Sequence, residues 1–140
     1  MFKEYYNSKF KEIFGSPLKT SDGLGDQLVK VKLQQLGLKI PEALAQYYAV
    51  AGLHWINKEH NRLRDLEELE WLDDKLVFMD ENQWVVYWAI LKSDLHTPNP
   101  TVWQGNNGDV IEWWEDCDYK CARFIMAMWE WTVTEIEAPM

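Results

Sequence analysis

The fold is decided by residues 76–90, LVFMDENQWVVYWAI, in which two apolar runs flank a polar centre. Residues 76–79 are typical of a short strand, and residues 84–90 form a continuous run of β-branched and aromatic residues. Such a run predicts a strand covered on both faces, so we expect Trp88 to lie in the core. Glu81, Asn82 and Gln83 separate the runs and predict a turn in which the Asn and Gln side chains bond backbone groups. The trio is interpreted as structural rather than as a binding site.

Strand patterns continue on the C-terminal side of this stretch. Residues 97–100, TPNP, predict a turn, and residues 101–103 and 110–114 predict two further strands. Residues 105–108, GNNG, are typical of a hairpin turn between them, and Trp113 is expected in the core. The pattern then becomes helical, and we expect a last helix over residues 118–131.

Helical patterns precede the stretch. Apolar residues at helical spacing predict a helix over residues 2–14 that ends at Gly15. Asp22 is placed to cap a second helix that runs to Leu36 and stops at Gly37. A third helix is expected to open at Pro41, since proline suits a first helical position, and to stop at Gly52.

The segment between the helices and the first strand is less regular. Residues 53–62 are expected to form a loop. Residues 65–74 are acidic with leucines three apart, which favours one or two helical turns with the acids facing solvent. The order of helices, strands and a closing helix predicts an α+β fold. We expect one domain over residues 1–140, with an antiparallel or mixed sheet of about four to six strands packed with N-terminal helices and a C-terminal helix.

Charge is unevenly distributed along the 140 residues. The net charge is −9, but residues 1–64 carry +4 and residues 65–140 carry −13. This field disfavours nucleic acid and anionic membranes as partners and favours a basic protein. The alternative interpretation is that the acidity only keeps copies of the protein apart in solution.

Cysteine usage and hydropathy indicate the compartment. Cys117 and Cys121 have a C-x3-C spacing, which is not a redox CxxC motif, and we expect free thiols in a reducing compartment. The longest apolar run, residues 84–91, is far shorter than the roughly 20 residues that a membrane-spanning helix needs. The N-terminus lacks the apolar core of a signal peptide, so a cytoplasmic location is expected.

No motif for catalysis is found in the sequence. It contains no G-x-S-x-G, no phosphate-binding glycine loop and no H-E-x-x-H. His54 and His60 lie in one loop and leave a metal-dependent enzyme as an alternative, although a metal site would need a further ligand. Adjacent carboxylates such as Asp73 with Asp74 are interpreted as a solvated surface. We therefore expect no catalytic residue, no metal and no cofactor.

Four stretches resemble the SUKH (SMI1/KNR4) superfamily. Residues 40–44, IPEAL, are followed by a Tyr47–Tyr48 pair and by Gly52, as in the proline-opened helix of that superfamily. Residues 81–83 and 88–90, ENQ and WAI, are similar to its strand, turn and second strand. Residues 99–103, NPTVW, and the closing helix with Phe124, Ile125 and Met128 complete the resemblance, which spans about residues 36–131.

This resemblance implies a binding domain rather than an enzyme. Many bacterial members of the superfamily are immunity proteins that neutralise polymorphic or contact-dependent toxins, often nucleases, and fungal members act in cell-wall signalling through protein contacts. The expected function is therefore an immunity protein that binds a basic toxin directly. The alternative is an intracellular adaptor or regulatory module without a toxin partner.

The partner surface is predicted from acidic residues around tryptophans, because aromatic anchors with charged surroundings suit a basic partner. Trp71 is the sharpest candidate, since it interrupts the leucine spacing among acids. The alternative is a solvated face without a partner. The first acidic set comprises Asp65, Glu67, Glu68, Glu70, Asp73 and Asp74, which surround Trp71, and the second acidic set comprises Glu112, Glu115 and Asp116.

Overall fold

Four helices and a six-stranded antiparallel sheet form the protein in a computed structural model, which describes residues 1–137 except for the side chains of residues 116–118 and 135–137. The predicted α+β class, with N-terminal helices and a C-terminal helix, is confirmed. The helices are α1 (Phe2–Phe14), α2 (Asp26–Leu36), α3 (Glu42–Ala51) and α4 (Cys121–Glu137). The strands are β1 (Arg62–Leu63), β2 (Glu70–Leu72), β3 (Lys75–Asp80), β4 (Val86–Leu91), β5 (Thr101–Asn106) and β6 (Trp113–Lys120).

Glycines end the first two helices as predicted. Gly15 has a φ of 76° and its N–H donates to Lys11 O, while Gly37 ends α2 with a φ of 63°. The expected start of the second helix at Asp22 is wrong. α2 begins at Asp26 after Gly25, whose φ of 81° is not helical, and Asp22 instead accepts a hydrogen bond of 2.7 Å from Lys19 N at a 3-10 turn.

The segment between that turn and α2 packs closely against α3. Leu24 N donates to Tyr48 O at 3.1 Å and Gly25 N donates to Ala49 O at 2.9 Å. Gly23 has an extended backbone with a φ of −118°, which any residue can adopt. A Cβ atom there would lie only 2.0 Å from Ala49 O, so the glycine is required by the close approach of two backbones rather than by its conformation.

Replacement of Gly23 by alanine is expected to lower the free energy of unfolding by about 1–3 kcal/mol, since the backbone must move to admit the methyl group. Chemical denaturation followed by circular dichroism measures this change. Ser21→Ala, in the neighbouring exposed turn, is the matched control and should change stability by less than about 0.5 kcal/mol. Equal stability of Gly23→Ala and Ser21→Ala would contradict the close approach.

The sheet is a meander with an interrupted edge. Its strand order is β1-β3-β4-β5-β6, and β2 pairs with β3 on the same edge as β1. The predicted helical turns over residues 65–74 are wrong, because only Leu66–Glu68 forms a 3-10 turn and β2 follows it. A hairpin around Asp73, whose φ is 56°, pairs the backbone groups of β2, whereas a helix of one or two turns would leave most of its backbone groups unbonded.

The last hairpin and helix are shifted from their predicted positions. β5 continues through Gly105, where a Cβ atom would lie 2.6 Å from ring carbons of Trp113, so this glycine serves packing and not the predicted turn. β6 begins at Trp113 and takes in residues 118–120, which were predicted as helix. α4 begins later because Cys121 N donates to Pro100 O at 2.8 Å and Ala122 N donates to Asn99 Oδ1 at 2.9 Å.

A buried hydroxyl joins the helices to the loop after α3. Tyr47 Oη donates to Asn57 Oδ1 at 2.6 Å and accepts from Trp129 Nε1 at 2.6 Å. Asn57 Nδ2 in turn donates to Ala51 O at 2.7 Å. The Tyr47 ring packs edge-on against Tyr6 of α1, with 5.2 Å between ring centroids. One side chain of α3 therefore contacts α1, α4 and the loop that follows α3.

Removal of that hydroxyl in Tyr47→Phe is expected to lower the free energy of unfolding by about 1–3 kcal/mol, because two buried polar groups lose their partner. Urea denaturation measures the change. Tyr119→Phe is the control, because that half-buried tyrosine makes no hydrogen bond to any described residue, and it should be near neutral. A Tyr47→Phe protein as stable as the Tyr119→Phe protein would contradict the role of the hydroxyl.

The helices cover one face of the sheet. Phe124 of α4 packs against Phe78 and Trp88, at centroid distances of 6.0 and 5.6 Å, and the expectation that Trp88 lies in the core is confirmed. The other face is here called the outer face. Lys75 is 7% exposed there, with its Nζ 4.9 Å from the ring centroid of Trp103 and 5.3 Å from that of Trp113.

A buried ion pair joins the segment after β1 to the end of β3. Arg64 Nη2 contacts Asp80 Oδ1 at 2.8 Å, and both residues are buried. Trp113, expected in the core, is half-buried on the outer face, where its Nε1 donates to Asp73 Oδ2 at 2.9 Å. Long side chains of the strands therefore cover the outer face, where no described helix packs.

Candidate protein-binding surface

The first acidic set lies along the interrupted edge of the sheet, and cations of the same chain neutralise most of it. Lys58 Nζ is 3.0 Å from Asp65 Oδ1, and Arg64 Nη1 is 2.7 Å from Glu70 Oε1. Further ion pairs join Lys32 to Glu67, Arg62 to Glu68, and Lys75 to Asp74. The acids face solvent as expected, but this edge offers little uncompensated negative charge.

The ion pairs also shift the acid strength of these groups. The hydrogen bond from Arg62 lowers the pKa of Glu68 to about 2, and the hydrogen bond from Lys32 lowers the pKa of Glu67. The hydrogen bond from Lys75 lowers the pKa of Asp74. Each shift reflects a charge that the folded chain already stabilises.

Trp71 is 41% exposed on β2, opposite Leu76 in the register. Lys92 Nζ lies 5.9 Å from the centroid of its ring, so a cation already approaches the indole face. Trp71 is thus placed on the surface among acids, and its contact with a partner stays a prediction.

The second acidic set is arranged differently. Glu112 precedes β6 and Glu115 lies on it, and both are exposed without an ion pair to any described residue. The side chain of Asp116 lies outside the described residues. Trp114, between Glu112 and Glu115 in sequence, is 44% exposed. This part of the surface keeps its negative charge beside an exposed indole.

The sequence interpretation missed the exposure of Trp84 and Val85. They were expected to begin a strand covered on both faces, but β4 begins at Val86, and Trp84 and Val85 are each 55% exposed in the turn before it. Trp84 has a φ of 61°, which is uncommon for a bulky residue and costs on the order of 1–3 kcal/mol. Hairpin turns of two or three residues are common, so the length of the polar trio did not reveal that the turn extends to Val85.

Hydrogen bonds hold this turn in place. Trp84 N donates to Glu81 O at 3.0 Å, and Val85 N donates to Glu81 Oε1 at 3.2 Å. Asn82 N donates to Asn61 Oδ1 at 3.0 Å. The predicted turn is confirmed, but its side-chain acceptors are Glu81 and Asn61 rather than Asn82 and Gln83.

Two loops meet at this end of the sheet. Asn107 N donates to Val85 O at 2.8 Å, and Asn107 Nδ2 donates to Trp84 O at 2.7 Å. Val110, in the same loop as Asn107, is 78% exposed. We call Trp84, Val85, Val110 and Glu112 the loop-end surface. It combines exposed apolar side chains with an unpaired carboxylate on two connected loops.

The histidines lie in aromatic surroundings. The His54 ring packs between Phe10 and Phe14, at centroid distances of 5.0 and 5.1 Å, and its burial lowers its pKa. His60 packs edge-on against Trp131 at 4.8 Å. Among the described residues, no three His, Cys, Asp or Glu side chains are grouped to hold a metal ion.

Cys121 is a free and fully buried thiol, and its burial raises its pKa to about 12. The side chain of Cys117 lies outside the described residues. Within residues 1–137, no helix is both long enough and apolar enough to cross a membrane.

Comparison of the chain with protein-family models, with curated proteins and with solved structures finds no match. The resemblance to the SUKH superfamily therefore stays a prediction.

The Arg62–Glu68 pair should affect stability in acid. Because the folded state holds the pKa of Glu68 near 2, below its ordinary value of 4.5, the pair stabilises the fold above about pH 4.5, and this contribution is lost as the pH falls towards 2. Glu68→Gln should therefore weaken the pH dependence of the unfolding midpoint over that range.

Thermal unfolding followed by circular dichroism between pH 2 and pH 6 measures this effect. Glu59→Gln, an exposed glutamate without an ion pair to any described residue, is the control. If both variants keep the pH dependence of the original protein, the Arg62–Glu68 pair does not contribute to the pH dependence of stability.

Proposed function

We propose that this chain is a non-enzymatic protein-binding domain of the immunity type, which acts in the cytoplasm and neutralises a basic toxin, such as a nuclease, by direct contact. The observation that carries the proposal is the loop-end surface, where Trp84, Val85 and Val110 are exposed beside Glu112. Exposed apolar side chains on loops that meet, with polar groups around them, are typical of interaction sites.

The apolar part of the surface suits an anchor in a protein interface. A tryptophan that enters a pocket on the partner is among the residues that contribute most to binding free energy. The backbone of Trp84 is held in its left-handed conformation by bonds to Glu81 and Asn107, so this backbone loses little conformational entropy on binding. The strain at Trp84 fits a site selected for contact, since strained residues cluster at functional positions.

The charged part of the surface suits a basic partner. A nuclease must be basic where it holds phosphates, and Glu112 and Glu115 offer carboxylates that no described cation neutralises. The first acidic set would have to exchange existing ion pairs for new ones, which gives little net gain. We therefore favour the second acidic set, with Trp84 and Val110, over the surface around Trp71.

The test is co-expression with the toxic product of a neighbouring gene, scored by survival and by co-purification. We expect rescue and a stable complex with the original chain. Trp84→Ala should weaken the complex at least tenfold through faster dissociation, because an anchor is lost. Glu112→Lys with Glu115→Lys should slow association and reduce its dependence on salt.

Trp71→Ala is the matched control, since it removes an equally large exposed indole from the other surface. Weakening by Trp71→Ala but not by Trp84→Ala would move the interface to the first acidic set. Absence of any toxic neighbour, together with absence of rescue, would contradict the immunity function and favour an adaptor.

A further inference from the structure

A cleft of about 370 Å³ lies between α1 and α4, beside the end of β6. Its walls are Tyr5 and Lys9 from α1, Tyr119 from β6, and residues of α4. None of them belongs to the two acidic sets or to the loop-end surface, so the cleft is independent of the proposed toxin interface. The α4 residues that line it are Arg123, Met126, Ala127 and Glu130.

Two cations point to an anionic ligand. Arg123 is exposed, with its Cζ 5.0 Å from the ring centroid of Tyr119, and it makes no hydrogen bond or ion pair with any described residue. Lys9 Nζ lies 3.5 Å from Glu12 Oε2 and 4.0 Å from Glu130 Oε1, and it donates no hydrogen bond to any described residue. A guanidinium and an ammonium on the walls of one cleft offer several charge-assisted donors to an oxyanion.

The tyrosines add neutral donors. The pKa of Tyr5 is raised, mainly because the phenol is partly buried. The charge of Glu130 also raises this pKa, whereas the charges of Lys9 and Arg123 lower it. The phenol is therefore protonated at neutral pH, and its O–H has no acceptor among the described residues. Tyr119 is likewise half-buried without an acceptor there.

We propose that this cleft binds a phosphate monoester. The phosphate dianion contacts Lys9 and Arg123, and its organic group lies over the half-buried Ala127. Several donors are needed here because the net charge of −9 repels anions from the protein as a whole. The volume lies within the range of small-molecule sites and leaves room for an organic group beside the phosphate. The Glu130 carboxylate can accept hydroxyl hydrogen bonds, which favours an ester that carries hydroxyl groups.

The probes are inorganic phosphate, adenosine 5′-monophosphate and phosphate-free adenosine, titrated separately into the ¹⁵N-labelled full chain at low salt. In NMR spectra, we expect saturable chemical-shift changes of the α1 and α4 amide groups with the monophosphate. Inorganic phosphate should bind more weakly, and adenosine should give no saturation. Saturation with inorganic phosphate as strong as with the monophosphate would show that the organic group makes no contact and would overturn the ester assignment.

Variants inside and outside the cleft distinguish a specific site from general attraction of the anion to positive charge. Arg123→Ala and Lys9→Ala should each weaken binding of the monophosphate at least tenfold, because each loses a charge-assisted contact. Arg123→Lys, which keeps the charge without the planar fork, should fall between the original protein and Arg123→Ala. Lys11→Ala removes an exposed charge from the same helix outside the cleft and should change binding less than twofold.

Equal weakening by Lys11→Ala and Lys9→Ala would overturn the proposal, since it would show charge attraction without a site. Absence of saturation up to about 10 mM monophosphate would overturn it as well. Circular dichroism and thermal melting of each variant confirm that the fold is retained, and Arg123 is exposed, so its replacement leaves the core intact.

Discussion

The structure depends on the hydroxyl of Tyr47, which must find both a donor and an acceptor because it is fully buried. Trp129 supplies the donor from α4 and Asn57 supplies the acceptor from the loop after α3. The hydrogen bonds of this one hydroxyl therefore fix the position of α4, through a residue 82 positions away in sequence, and the position of the loop after α3. The apolar contacts of Tyr6 and Phe10 with the same ring then set α1 against α3.

Within residues 1–137, no helix covers the outer face of the sheet, and side chains of the strands cover it instead. Lys75 lies near two indole rings, and Arg64 is neutralised by Asp80 beneath the surface. Buried charges of this kind are tolerated because each has a partner, but they leave few groups free to bind another protein. Exposed apolar side chains such as Trp84 and Val110 lie instead on loops at one end of the sheet, where we propose that a partner binds.

Local chemistry explains which parts of the fold could be predicted. Gly15 and Gly37 end helices because they take a left-handed conformation, and this preference is readable from neighbouring residues alone. β2 could not be predicted, because its pairing with β3 and not its own leucine spacing decides its conformation. The exposure of Trp84 was hidden for the same reason, since a run of apolar residues does not show where pairing with the next strand begins.

The basic first part of the chain and the acidic residues that follow it form ion pairs with each other in the folded protein. Lys32, Lys58, Arg62 and Arg64 come from the basic first part of the chain, and each pairs with a carboxylate of the first acidic set. These ion pairs stabilise the fold. The sequence did not reveal them, because the cations come from residues 32–64 and the acids from residues 65–70. The carboxylates of Glu112 and Glu115 follow the last of these cations in the chain and lie on loops and an edge strand beyond their reach. Glu112 and Glu115 therefore keep their negative charge near the exposed Trp114, on the part of the surface where we propose that a basic protein binds.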